Sequence, residues 1–240
     1  MARRSSKKSS LFSKSEQYER VPSEIEDEIL EIYTKLTEKG EDLYLSDLPE
    51  LFESLRIPNC FVEEINQCIS YYYKFMRSKP QLKFDSTNAK QYTTINLIHA
   101  YCVTGTVKSL EDILDIVDID KLIRNVARLV KFRDNYKHIV DSFRLFVASA
   151  SSKTLTDSEV INYKLTLPDL KQVKTELNLD QDSSAGYSLS DSLLIDMLSC
   201  CATSSKGELL NFDFNKPKNG TCITIKDFAE ILGNLGEYDE

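Results

Sequence analysis

One six-residue pattern, apolar–x–apolar–x–Asp/Lys–apolar, occurs four times in the chain, each time between two amphipathic stretches of helical period. It reads Leu43-Tyr44-Leu45-Ser46-Asp47-Leu48, Val117-Asp118-Ile119-Asp120-Lys121-Leu122, Leu165-Thr166-Leu167-Pro168-Asp169-Leu170 and Ile223-Thr224-Ile225-Lys226-Asp227-Phe228. Alternating apolar residues suit a short strand, and the Ser/Pro/Asp/Lys step suits a helix start. The pattern therefore predicts a strand running straight into a helix, with the final apolar residue opening that helix.

The flanking periodicities support this. Ile25, Ile29, Leu30, Tyr33 and Leu36 recur at helical spacing after Pro22-Ser23 and a run of carboxylates, which favours the positive end of a helix. Gly40 is placed to stop that helix, and Ile57-Pro58 ends the next one. Ile65, Cys68, Ile69, Tyr72, Tyr73 and Met76 form another stripe. With only 7 Gly and 6 Pro, the composition favours helices over a turn-rich β fold. The expected fold is all-α (mainly helical) and calmodulin/centrin-like, with four degenerate EF-hand-like helix–strand–helix units in two lobes. The strand segments should pair two by two.

The expected division is a disordered basic tail over 1–20, a first lobe over 21–133 with a surface insertion at 77–112, and a second lobe over 134–240. The tail carries six basic side chains against two acidic ones, a net +4, which leaves −12 on the rest of a chain whose formal charge is −8. An acidic body repels phosphate, so it is a poor non-specific binder of nucleic acid and suits a basic partner segment.

No P-loop, dinucleotide Gly-rich turn, GxSxG or HExxH occurs, so no enzymatic activity and no cofactor are expected. The six cysteines include no CxxC, and His99 and His138 are the only histidines, which disfavours a zinc site. The cysteines read as reduced filler. No apolar run approaches a membrane span.

A calcium loop needs about six oxygen ligands at alternate positions and a final bidentate Glu. Here the final-ligand positions hold Asp47, Lys121, Asp169 and Asp227. The preceding residues are worse, with Lys216 and Lys218 before the fourth pattern and Val160 and Ile161 before the third. No metal is expected, and the Asp residues read as helix caps. Without a calcium switch, an apolar cleft must be closed or permanently occupied by a partner helix anchored at i, i+3/i+4 and i+7. The candidate partner-binding residues are Phe143, Phe146, Leu170, Val173, Leu194, Met197, Leu198, Phe228, Ile231 and Leu232.

Several segments resemble a known family. These are Val21 to Glu31, Ile119 to Arg124, Leu165 to Leu170, Leu198 to Thr203 and Ile231 to Gly236. In this order they are similar to the fungal centrin-like nucleotide excision repair proteins of the Rad thirty-three type, within the calmodulin/centrin superfamily. The basic tail and residues 77–112 lie outside the resemblance. It implies a nuclear, calcium-independent adaptor, with the cytoplasm as a second location. Such an adaptor would bind and stabilise the carboxy-terminal region of the yeast damage-recognition protein, the relative of xeroderma pigmentosum group C protein. It would not read DNA itself. The alternative reading is a calcium-independent light chain of a cytoskeletal or motor protein. On either reading, the melting temperature in micromolar calcium should equal that in chelator; an upward shift with calcium would overturn the ligand analysis.

Overall fold

The computed structural model describes residues 16–37, 42–78, 88–103, 114–151, 155–177, 203–204 and 221–238, together with Leu194 and Leu198. The described residues are mainly helical. A four-residue helix, α1 (Glu16–Glu19), leads to α2 (Ser23–Leu36). A single 3-10 turn, Leu45–Asp47, then enters α3 (Leu48–Ser54). Next come α4 (Asn59–Tyr71), which widens into a π turn at Tyr72–Met76, α5 (Ala89–Tyr101), α6 (Ile119–Asp134) and α7 (Tyr136–Ala150). Finally come α8 (Asp157–Ile161), α9 (Leu167–Glu176) and α10 (Ile225–Asn234). A two-residue ladder joins β1 (Thr203–Ser204) to β2 (Thr221–Cys222).

The four patterned segments meet in pairs. Tyr44 bridges Ile116 antiparallel, with Leu45 N–H donating to the Asp115 carbonyl and Val117 N–H to that of Leu43, both at 2.8 Å. Leu165 and Ile223 exchange two backbone hydrogen bonds, at 3.0 and 2.8 Å. The strands, however, are one or two residues long, and three of the four helices begin three residues earlier than expected, whereas α3 starts at Leu48 as expected. Helices start at Ile119, Leu167 and Ile225, behind the caps Asp118, Thr166 and Thr224.

The reason is local. The pattern encodes a capping box inside a hydrophobic staple. Its first and last apolar residues occupy the N′ and N4 positions, and all eight are buried: Leu43, Leu48, Val117, Leu122, Leu165, Leu170, Ile223 and Phe228. The Asp at N3 accepts from the cap. Thr166 donates its N–H and its hydroxyl to the Asp169 carboxylate, each at 2.7 Å, and Thr224 does the same to Asp227 at 2.9 and 2.8 Å. Asp47 accepts the Tyr44 N–H at 2.8 Å. In the second copy Lys121 cannot accept, so the Asp118 carboxylate caps the Lys121 N–H at 3.1 Å. The Lys121 ammonium turns instead to the Cys102 carbonyl at 2.7 Å.

Two expectations about organisation change. Residues 16–20 are not disordered tail, because Tyr18 is only 2 % exposed and lies in the core. Residues 88–103 are not a surface insertion. Helix α5 packs between α4 and α6 and buries Thr94, Ile95, Ile98 and Tyr101. Its apolar content was too dispersed to show one clear stripe, since polar Gln91 and Thr94 share the buried side. Residues 1–15, 79–87 and 104–113, and Gly40, lie outside the described residues.

One contiguous apolar core runs through both halves of the chain. At its centre Phe61 of α4 meets Phe132 of α6 at 5.3 Å and Tyr136 of α7 at 6.0 Å between ring centroids. The expected boundary at 133/134 falls where α6 turns into α7, so the core crosses it. Arg133 clamps the first half: it forms a two-pronged pair with Glu28 of α2 at 2.6 and 2.9 Å. It also donates to the Leu55 carbonyl beyond α3 at 2.8 Å. α3 ends in a left-handed residue, Arg56 (φ 55), and the Ile57 N–H returns to the Phe52 carbonyl at 3.0 Å.

Removing the fourth cap with Asp227→Ala should cost about 1 kcal/mol, read from the urea midpoint at constant slope. The hydrogen bonds from Arg133 hold the Glu28 carboxyl below its ordinary value of 4.5. A depressed folded value means that this ion pair stabilises the fold above about pH 4.5, and that its contribution fades as pH falls through the folded value. Glu28→Gln should therefore be less stable than wild type at neutral pH, with the two urea midpoints converging in acid. Parallel pH profiles would refute this.

Candidate partner-binding surface

The ten candidate residues separate into a floor and a rim. Phe143, Leu170, Val173, Leu194, Leu198 and Phe228 are all buried. As surface groove residues these six are corrected: they belong to the apolar core, where α7 packs against both α9 and α10. Met197 lies outside the described residues. Phe146, at 37 % exposed, together with half-buried Ile231 and Leu232, reaches the surface.

Those three define a rim. Phe228 of α10 stacks beneath it, with ring centroids 5.3 Å from both Phe143 and Phe146 of α7. Leu235 (56 % exposed) closes the end of α10, whereas Leu145 (70 %) lies on the face of α7 opposite Phe143. Leu235 shares the apolar stripe of α10 with Phe228, Ile231 and Leu232, although the sequence reading does not name it as a contact. Gly236, at φ 84, supplies the left-handed residue that ends α10, and the Glu237 N–H returns to the Leu232 carbonyl at 3.1 Å. Phe146, Ile231, Leu232 and Leu235 thus form a partly exposed apolar strip along the α7–α10 seam.

A second concavity of about 550 Å³ lies between α4 and α5 and is lined by Glu64, Cys68, Tyr71, Lys74, Phe75 and Thr94, among others. Tyr71 and Phe75 stack at 5.3 Å along its wall. Burial pushes the Glu64 carboxyl up, and Lys226 of α10, 3.7 Å away, only partly offsets this. That ion pair ties the first half of the chain to the last helix.

Among the described residues, no group of three or more His, Cys, Asp or Glu is arranged to hold a metal ion. Asp47, Asp169 and Asp227 are instead engaged in helix caps. The four described cysteines are free thiols, and burial pushes Cys60 and Cys222 up to about 11 and Cys102 up to about 12. Thiols so held are poor nucleophiles at neutral pH. No described helix is long and apolar enough to cross a membrane.

The fold defines a mainly helical protein whose capped helix starts meet in pairs. The Rad33 family model matches residues 15–182, well over half of the chain, and the chain belongs to the Rad33 family. Membership points to a role in nucleotide excision repair. No curated protein and no solved structure matches the chain. The family match runs through 77–112, which the resemblance leaves out, in keeping with the integral packing of α5. Val21 to Glu31, Ile119 to Arg124 and Leu165 to Leu170 fall inside the match, whereas Leu198 to Thr203 and Ile231 to Gly236 lie beyond it.

Proposed function

We propose that this protein is a calcium-independent, centrin-like adaptor of nucleotide excision repair, built from four degenerate EF-hand-like units in two lobes. It grips a helix of its partner along the α7–α10 seam. The partner is the carboxy-terminal region of the damage-recognition protein related to xeroderma pigmentosum group C protein, and the site of action is the nucleus. The observation that carries this reading is the partly exposed apolar strip of Phe146, Ile231, Leu232 and Leu235 over buried Phe228. Such a strip accepts the apolar stripe of an amphipathic helix. The acidic body favours basic residues on the partner's outer face.

In the first half the exposed large apolar side chains among the described residues are Tyr44, Phe75, Val103, Leu114 and Ile119, scattered over several elements. Its apolar side is already covered by α4, whose Phe61, Val62, Ile65 and Ile69 are all buried. The caps supply a physical reason for calcium independence: the carboxylates at the helix starts already accept hydrogen bonds from their own backbone.

Phe228→Asp is a poor probe, because a buried, unpaired carboxylate would unfold the seam. Phe146→Asp and Leu232→Asp suit the test better. Each large apolar anchor contributes roughly 1.5–3 kcal/mol. Each variant should therefore weaken binding of a synthetic peptide from the partner's carboxy-terminal region by about 10- to 100-fold. The melting temperature should stay close to wild type. Wild-type affinity in both variants would overturn the proposal.

A further inference from the structure

Helix α10 is held on two opposite sides. Lys226, Glu230 and Gly233 lie one turn apart along one stripe, whereas Phe228, Ile231, Leu232 and Leu235 occupy the other. The first stripe faces α4 and the N-terminal segment, through Glu64 and Tyr18. The second forms one wall of the α7–α10 seam.

Tyr18 sits in a built socket. Its ring lies 6.5 Å from that of Phe132 and 6.0 Å from that of Tyr238. Its hydroxyl donates to the Glu230 carboxylate at 2.7 Å. Burial, followed by that carboxylate, holds the hydroxyl protonated far above the usual tyrosine range. Arg128 and Lys131 of α6 stand over the ring at 5.8 and 5.4 Å. The Lys131 ammonium donates to the Tyr18 and Arg20 carbonyls, each at 2.8 Å. Gly233 makes the room, since a Cβ there would collide with the Tyr18 ring. The socket therefore reads a ring, a hydroxyl and two main-chain carbonyls. Its occupant is a helix of only four residues, far too short to hold its own shape.

We propose that residues 16–20 are an intramolecular latch: Tyr18, seated in this socket, pins α10 against α6 and thereby sets the position of one wall of the partner seam. The consequence for the seam rests on the adaptor reading; the latch itself does not. Beside the ring, the two carbonyls on Lys131 and an ion pair between Glu19 and Arg128 at 3.6 Å tie the segment to α6.

Hydrogen exchange of the full chain tests this directly. In Tyr18→Ala and in Gly233→Ala, the α10 amides should exchange at least about tenfold faster while α2 keeps its wild-type protection. Gly233→Ala raises helix propensity, so loosening of α10 in that variant traces to the expelled ring and not to a weaker helix. A synthetic peptide covering residues 13–22, added in trans, should restore slow exchange to Tyr18→Ala but not to Gly233→Ala, whose socket is blocked. Unchanged α10 exchange in both variants would overturn the latch. So would acceleration spread evenly over all helices, which would make Tyr18 an ordinary core residue, and so would failure of the peptide to rescue Tyr18→Ala. None of these measurements involves the partner, so loss of the adaptor reading would leave their outcome unaffected.

Discussion

Phe132 is the contact on which the rest of the architecture depends. It is fully buried, and around it gather rings from three distant parts of the chain: Tyr18 from the N-terminal segment, Phe61 from α4, and Tyr238 from the end of the chain, at 6.5, 5.3 and 6.2 Å. Each ring buries a large apolar surface and prefers tilted or offset neighbours, so the cluster sets orientation as well as proximity. One residue beyond it, Arg133 ties α2 and the end of α3 to α6. The position where α6 gives way to α7 is thus fixed by rings on one side and by a two-pronged ion pair on the other. The two halves are consequently packed on each other.

This packing assigns different tasks to the two halves. In the first, α4 and α5 lie against the core and cover apolar surface that a partner would otherwise need. In the second, α7 and α10 close over Phe143 and Phe228 but leave the outer edges of both helices apolar and wet. Helix α10 is common to both arrangements, joined to α4 through Glu64 and Lys226 and to the N-terminal segment through Tyr18 and Glu230. Anything that moves this helix alters both the inter-half packing and the candidate surface.

The repeated pattern was legible because it is local chemistry. Thr166 and Asp169, like Thr224 and Asp227, stand three residues apart and satisfy each other's backbone neighbours whatever the rest of the chain does. The same spacing was over-read as a longer strand, because N′ and N1 of a stapled helix imitate strand alternation. The integral role of α5 was not legible, since it buries Gln91 and Thr94 beside its apolar residues. Nor was the docking of Tyr18, an isolated tyrosine in a basic, Ser-rich surrounding whose partners lie more than a hundred residues away. Of the candidate surface, what was not legible is which apolar residues face outward: six of the ten named are buried.

From its sequence alone, this chain determined its helical character, the starts of its helices, its acidic body and the use of Asp as caps where a metal-binding loop needs ligands. These depend on interactions within a few residues, or on summed charge. Tertiary structure alone decided which apolar residues become core and which remain as rim, that α4 lies inside the first half, and that Gly233 opens a socket for Tyr18. Those outcomes depend on how the helices share a limited interior. That competition is settled by the shape of packed side chains and not by periodicity.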